Sequence, residues 1–166
     1  GENAIYLSVL NPKSQIFTCE LFEDGNINLI NTINDKNFNN IHLFKGNVLE
    51  FFDKINTNKV FDQIWILFPD PWPKKKHYKR RLINYDFLKT IYLYLKEDGR
   101  LMLASDSKSY IQSILLTIYS LQKYFIWENQ GVSQWDYKNL QLPRTKFYKK
   151  AQKSNRNSIF FQLKKI

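Results

Sequence analysis

The sequence predicts an α/β protein built on a mostly parallel, doubly wound sheet with an antiparallel hairpin at one edge. Two observations predict it. Strand-length runs rich in apolar residues recur at 15–20, 41–44, 60–68, 100–104, 124–127 and 158–163, and the earlier ones are separated by stretches of helical spacing. The last two runs are joined only by an irregular stretch and one short helix, which favours antiparallel pairing at an edge.

Residues 2–10 read as a helix with Ile5, Leu7, Val9 and Leu10 apolar, ended by Asn11-Pro12. The strand at 15–20, Q-I-F-T-C-E, ends on Glu20. Residues 25–33 place Ile and Leu at helical spacing, and the strand at 41–44 leads into Gly46-Asn47. A short helix follows at 48–55, with Leu49, Phe51, Phe52 and Ile55 apolar. The run 60–68 is a buried strand. Asn84 caps a helix that reaches residue 96 and carries Phe87, Leu88, Ile91, Tyr92 and Leu95; Glu97-Asp98-Gly99 is its turn. The strand at 100–104 ends in Ser105-Asp106, a helix spans 107–121, and a strand spans 124–127. Residues 128–143 read as polar and irregular, 145–153 as a short basic helix, and 158–163 as the last strand. No internal repeat, linker or second domain is visible.

With 166 residues, 43% hydrophobic and 16% aromatic, the chain has the composition of one globular domain rather than a disordered one. Its net charge is +10, and half of that excess lies between residues 69 and 82. A local anion site fits this distribution better than a generally basic surface. The single cysteine, Cys19, excludes an internal disulfide and a multi-cysteine metal site, and His42 and His77 are not spaced as a metal pair. No apolar run approaches the length of a membrane span and no signal peptide is visible, so a reducing cytoplasm is the expected compartment.

The stretch F-P-D-P-W-P-K-K-K-H-Y-K-R-R-L, residues 68–82, leaves the carboxyl end of the 60–68 strand, where open α/β sheets bind ligands. Pro69, Pro71 and Pro73 stiffen it, because proline fixes φ and donates no N–H. A K/R run is ordinarily a solvated face. Three prolines and Trp72 argue for a rigid mount instead. Glu20, Asn47, Asp70 and Asp106 all fall just after strands. Each alone reads equally as a cap or a turn, but in a doubly wound sheet those ends line one crevice.

No Ser/His/Asp set, P-loop or pair of catalytic carboxylates is present. One Asp beside a polycation suits a reaction that needs orientation more than acid–base work. Methyl transfer to a ring nitrogen is such a reaction. Guanine N7 carries a lone pair and no proton, and a sulfonium donor supplies the leaving group, so alignment can supply much of the rate. A carboxylate can accept from guanine N1–H and the 2-amino group, and favours the positive charge developing on the purine.

The run from Phe68 to Arg81 resembles the signature of the tRNA (guanine-N7-)-methyltransferases, class I enzymes with a Rossmann-like fold. The resemblance continues through L-K-E-D-G-R-L-M-L-A-S-D, ending at Asp106, and T-K-F-Y, ending at Tyr148. It implies S-adenosyl-L-methionine as cofactor and the variable-loop guanine of tRNA as substrate. It implies a catalytic role for Asp70, and cofactor binding by Gly1, Glu20, Asn47 and Asp70. Lys74 would contact substrate, while Lys76, His77, Tyr78, Lys79, Arg80 and Arg81 lie against the tRNA. Asp106, Thr145, Lys146, Phe147 and Tyr148 would shape the guanine pocket. Two positions depart from the family pattern: Asn47 stands where Asp is frequent, and Tyr148 where Glu is frequent. The family's first strand and glycine-rich loop are expected upstream, with Gly1 the loop's last glycine. Residues 1–166 are thus expected to be a single methyltransferase domain, a monomer or homodimer with no metal and no membrane partner, that begins inside that loop and alone binds the cofactor weakly or not at all. Two other readings stay open: a catalytically impaired RNA-binding remnant of the fold, and a class I methyltransferase acting on another nucleic acid.

Overall fold

A computed structural model describes residues 1–129 and 131–166. The chain forms two compact units, Gly1–Asn56 and Thr57–Ile166.

In the first unit α1 (Glu2–Leu10), β1 (Ile16–Glu20), α2 (Glu23–Asp35), β2 (Ile41–Lys45) and α3 (Val48–Asp53) alternate. β1 and β2 are parallel, in register from Ile16↔Ile41 to Glu20↔Lys45. α2 supplies the crossover that parallel strands require. The turn after β2 is held beside the end of β1 by a 3.3 Å bond from Gly46 N–H to the Glu20 carbonyl. Asn47 then caps α3. Its Oδ1 accepts from Leu49 N–H at 3.0 Å, and Glu50 Oε2 accepts from Asn47 N–H at 3.3 Å. The side chains pack closely on this glycine: a Cβ at Gly46 would lie 2.6 Å from Phe44 Cε1 and 3.0 Å from that same Glu50 oxygen, so both would have to shift to admit one.

The second unit holds β3 (Phe61–Leu67), α4 (Tyr85–Tyr94), β4 (Leu95–Ser105), α5 (Lys108–Ser120), β5 (Phe125–Trp127), α6 (Val132–Trp135), α7 (Lys146–Lys153) and β6 (Ile159–Lys165). Its sheet is ordered β3-β4-β6-β5. β3 and β4 are parallel, and β6 runs antiparallel to both β4 and β5. The parallel strands and the antiparallel edge pair are those expected from the sequence. β4 is central, and Leu101, Leu103 and Ala104 on it are fully buried. On one face Met102, Ala104 and Phe160 cluster with Tyr137 and Tyr148, and Trp65, Leu67 and Phe68 pack against them.

β3, expected as a buried strand, is half-buried or exposed along its whole length, and three further stretches differ from expectation. α4 stops at Tyr94, not residue 96, and Glu97-Asp98-Gly99 lies inside β4 rather than in a turn before it. Between the pairs Phe61↔Leu95 and Gln63↔Arg100 the register shifts, and Asp98 takes φ 60°. The cause is distant in sequence. Lys165, 2% exposed, donates from Nζ to the Tyr92 and Leu95 carbonyls, both at 2.9 Å. It thereby satisfies acceptors that the helix end leaves open. Lys165→Met keeps the packed stem and strands both carbonyls. It should cost about 2 kcal/mol in urea unfolding, and an unchanged midpoint would show that water replaces the ammonium. The second difference is in residues 128–143, where α6 and a 3-10 turn at Tyr137–Asn139 form and Tyr137 is 1% exposed. Gln130, in the same stretch, lies outside the described residues. The third is the basic stretch, which closes into a 3-10 turn at Lys75–Arg80. Among the described residues no helix is long and apolar enough to cross a membrane.

Candidate functional site

In the first unit, Glu20 ends β1 and is half-buried. Its Oε1 accepts from Phe22 N–H at 2.9 Å, and its other carboxylate oxygen has no hydrogen bond among the described residues. The Gly46–Glu20 bond brings Glu20 close to Asn47, which is exposed at the start of α3. Gly1 caps α1, where its carbonyl accepts from Ile5 N–H at 3.1 Å; a Cβ at Gly1 would lie 2.7 Å from Leu29 Cδ1. Burial pushes the Cys19 thiol up to about 11, so it stays protonated at neutral pH and is no nucleophile.

In the second unit, the parallel register Leu67↔Ala104 sends the segments carrying Asp70 and Asp106 off the same edge of the sheet. Asp70 is exposed and makes no hydrogen bond or ion pair among the described residues. It stands between two residues with left-handed backbone, Phe68 at φ 54° and Trp72 at φ 42°. Bulky residues seldom adopt this region, and each such residue costs about 1–3 kcal/mol unless the surroundings impose it. Phe68 is held by its N–H bond to the Ala104 carbonyl, 2.8 Å, and by packing against Tyr137, ring centroids 5.5 Å apart. Trp72 is the platform of the following turn: His77 meets its ring edge-on at 5.8 Å, and the Arg80 guanidinium lies 5.0 Å from its centroid.

Lys74, Lys75, Lys76, Lys79 and Arg80 are exposed, and none has an ion-pair partner among the described residues; Tyr78 is 36% exposed. Arg81 is different. It is 4% exposed and bonded within the unit, so the sequence expectation that it lies on the tRNA beside Arg80 does not match its surroundings. Tyr110, packed under Arg81, accepts from Ile83 N–H at 2.8 Å, and burial pushes its phenol up to about 12. It is therefore neutral at physiological pH and supplies no base.

The residues expected around the guanine differ in their surroundings. Asp106 pairs with Arg156, Oδ2 to Nε at 2.8 Å. Thr145 is buried and caps α7, Oγ1 accepting from Tyr148 N–H at 3.3 Å. Tyr148 is 2% exposed and stacks on Tyr137 with centroids 4.8 Å apart, while its hydroxyl accepts from Gln152 Nε2 at 2.7 Å. Its aromatic ring belongs to the core, where the Glu of the family pattern would carry a charge. Phe147 is 64% exposed, and Lys146 is also exposed. Sequence reasoning missed Arg156, Ser109 and Ser113. The serines, one helical turn apart on α5, were the one available signal: two small polar residues on one helix face.

Residues 1–161 match the model of a family described as "Putative methyltransferase". A tRNA (guanine-N(7)-)-methyltransferase of Wolbachia pipientis wMel is 31% identical over 166 residues, covering 100% of this chain and 71% of that protein. One from Hyphomonas neptunium is 32% identical over 135 residues, covering 81% of this chain and 61% of that protein. The chain thus spans roughly two thirds of the length of these relatives. Among solved structures, the N-methyltransferase NodS of Bradyrhizobium japonicum in complex with S-adenosyl-L-homocysteine matches with TM-score 0.58 at 10% identity, over 98% of this chain and 73% of its own. That likeness shows the class I methyltransferase fold. With a family model matched over residues 1–161 and a relative 31% identical over the whole of this chain and 71% of its own, the chain belongs to the tRNA (guanine-N7-)-methyltransferase family.

Proposed function

We propose that the protein transfers a methyl group from S-adenosyl-L-methionine to N7 of the variable-loop guanine of tRNA. The observation that carries this reading is Asp70: an exposed carboxylate without a partner among the described residues, set between two strained residues and followed at once by a turn of exposed cations.

The residues at the strand ends of the first unit fit the cofactor's adenosine. Glu20 has a carboxylate oxygen left to accept from ribose hydroxyls. Asn47 Oδ1 spends one lone pair on Leu49 N–H and keeps a second for an adenine amino group. When bound, the cofactor supplies an electrophilic methyl on sulfur. Asp70 accepts from guanine N1–H and the 2-amino group and counters the positive charge that grows on the ring. No residue need remove a proton from N7. Lys74, Lys76, His77, Tyr78, Lys79 and Arg80 hold the RNA by charge and stacking. Asp106 and Phe147 flank the base, while Thr145 and Tyr148 set the geometry of α7 beneath it.

The test is direct. The natural full-length protein is incubated with methyl-labelled cofactor and a tRNA transcript, and the product nucleosides are separated by mass spectrometry. The label should appear as 7-methylguanosine and disappear from a transcript whose variable-loop guanine is replaced by adenine. Label on another nucleoside, or binding of tRNA with no transfer, would overturn the proposal.

A further inference from the structure

Arg81 ends the cationic run but is enclosed. Its Nε donates to the Pro71 carbonyl at 2.9 Å. Its Nη1 donates to the Ser109 carbonyl at 3.0 Å and to Ser113 Oγ at 2.9 Å, and its Nη2 donates to Ser109 Oγ at 2.8 Å. The guanidinium lies 3.6 Å from the Tyr78 ring centroid and 4.9 Å from that of Tyr110. Most of its N–H groups are therefore used inside the unit, and two aromatic rings lie against it.

What these bonds connect matters. Pro71 follows Asp70 directly, and Ser109 and Ser113 lie on the first two turns of α5. The loop around Asp70 contains two left-handed residues, Phe68 and Trp72, and a strained segment persists only where its surroundings over-determine it. Arg81 is the tie from the peptide next to Asp70 to a helix. A planar fork that bonds two elements at once is a geometric device that a lysine cannot reproduce.

We infer that Arg81 is a positioning residue for methyl transfer, which fixes Asp70 by anchoring Pro71 to Ser109 and Ser113 of α5, and that it makes no contact with tRNA phosphate. The inference rests on the N7-methyltransferase reading for its kinetic consequence, though not for the anchor itself. A catalytic group displaced by about 1 Å loses on the order of a hundredfold in rate.

Arg81→Gln, Arg80→Gln and the double variant Ser109→Ala/Ser113→Ala are made in the natural full-length protein. Three quantities are read: the single-turnover transfer rate at saturating tRNA, the log–log salt slope of tRNA binding, and amide hydrogen exchange over residues 72–82. Arg81→Gln should lower the rate about a hundredfold and leave the salt slope unchanged. The serine double variant, which keeps Arg81 and folds with two small substitutions, should lower the rate about tenfold with tRNA KM within about twofold of wild type. Both should speed exchange in the loop. Arg80→Gln should instead reduce the salt slope by about 0.7–0.9. If Arg81→Gln reduces the slope as Arg80→Gln does, Arg81 is a phosphate contact and the inference fails. It fails equally if the serine double variant keeps wild-type rate and exchange. If the wild-type chain transfers no methyl to N7, the functional reading falls, and loop exchange in the variants still decides whether Arg81 is the anchor.

Discussion

Asp70→Asn should lower methyl transfer by on the order of a thousandfold while tRNA still binds. The amide has the size of the carboxylate but neither its charge nor its full acceptor capacity. It turns an NH₂ toward guanine N1–H or the 2-amino group, so that donor faces donor. Charge complementarity is lost where it counts, because the purine becomes cationic as N7 takes the methyl. The loss is specific to the transition state, and should appear in the single-turnover rate rather than in the KM for tRNA. Folding should hardly respond, since Asp70 is exposed and has no hydrogen bond or ion pair among the described residues. Rate and thermal midpoint are measured on the same preparation. Near-wild-type transfer by the Asn variant would reduce Asp70 to a loop residue.

The second large effect concerns affinity. Replacing Lys76, Lys79 and Arg80 together with Ala should flatten the log–log salt dependence of tRNA binding by about two to three units and weaken binding at moderate salt by on the order of a hundredfold. These three side chains are exposed and have no ion-pair partner among the described residues, so their removal leaves no stranded charge in the fold. Arg80 also covers the Trp72 ring at 5.0 Å, and its loss bares that aromatic face. The measurement is a filter-binding or fluorescence titration repeated at four salt concentrations. An unaltered slope would make the turn a solvated face. Sequence order alone would have placed Arg81 in this set with Lys79 and Arg80; its burial removes it.

Features governed by neighbours in the chain were legible in the sequence. The alternation of strand and helix follows from apolar periodicity, and Asn84 capping α4 through Phe87 N–H follows from a rule confined to one turn. The antiparallel edge pair β5–β6 followed from the absence of a crossover helix long enough to reverse it. The place of Asp70, at the end of an apolar strand inside a proline-stiffened loop, was read the same way. Tertiary structure decided the rest. Lys165 ends α4 from seventy residues away, and Arg156 reaches Asp106 across fifty. Arg81 and Arg80 are identical in sequence terms, yet one is enclosed by two tyrosines and two serines and the other faces solvent. Tyr137 became core within a stretch that reads as polar, because Tyr148 stacks on it from α7. Propensity, capping and period act over a few residues and are written locally. Burial and the partner of a charge depend on which distant segments the fold brings together, and no local pattern records them.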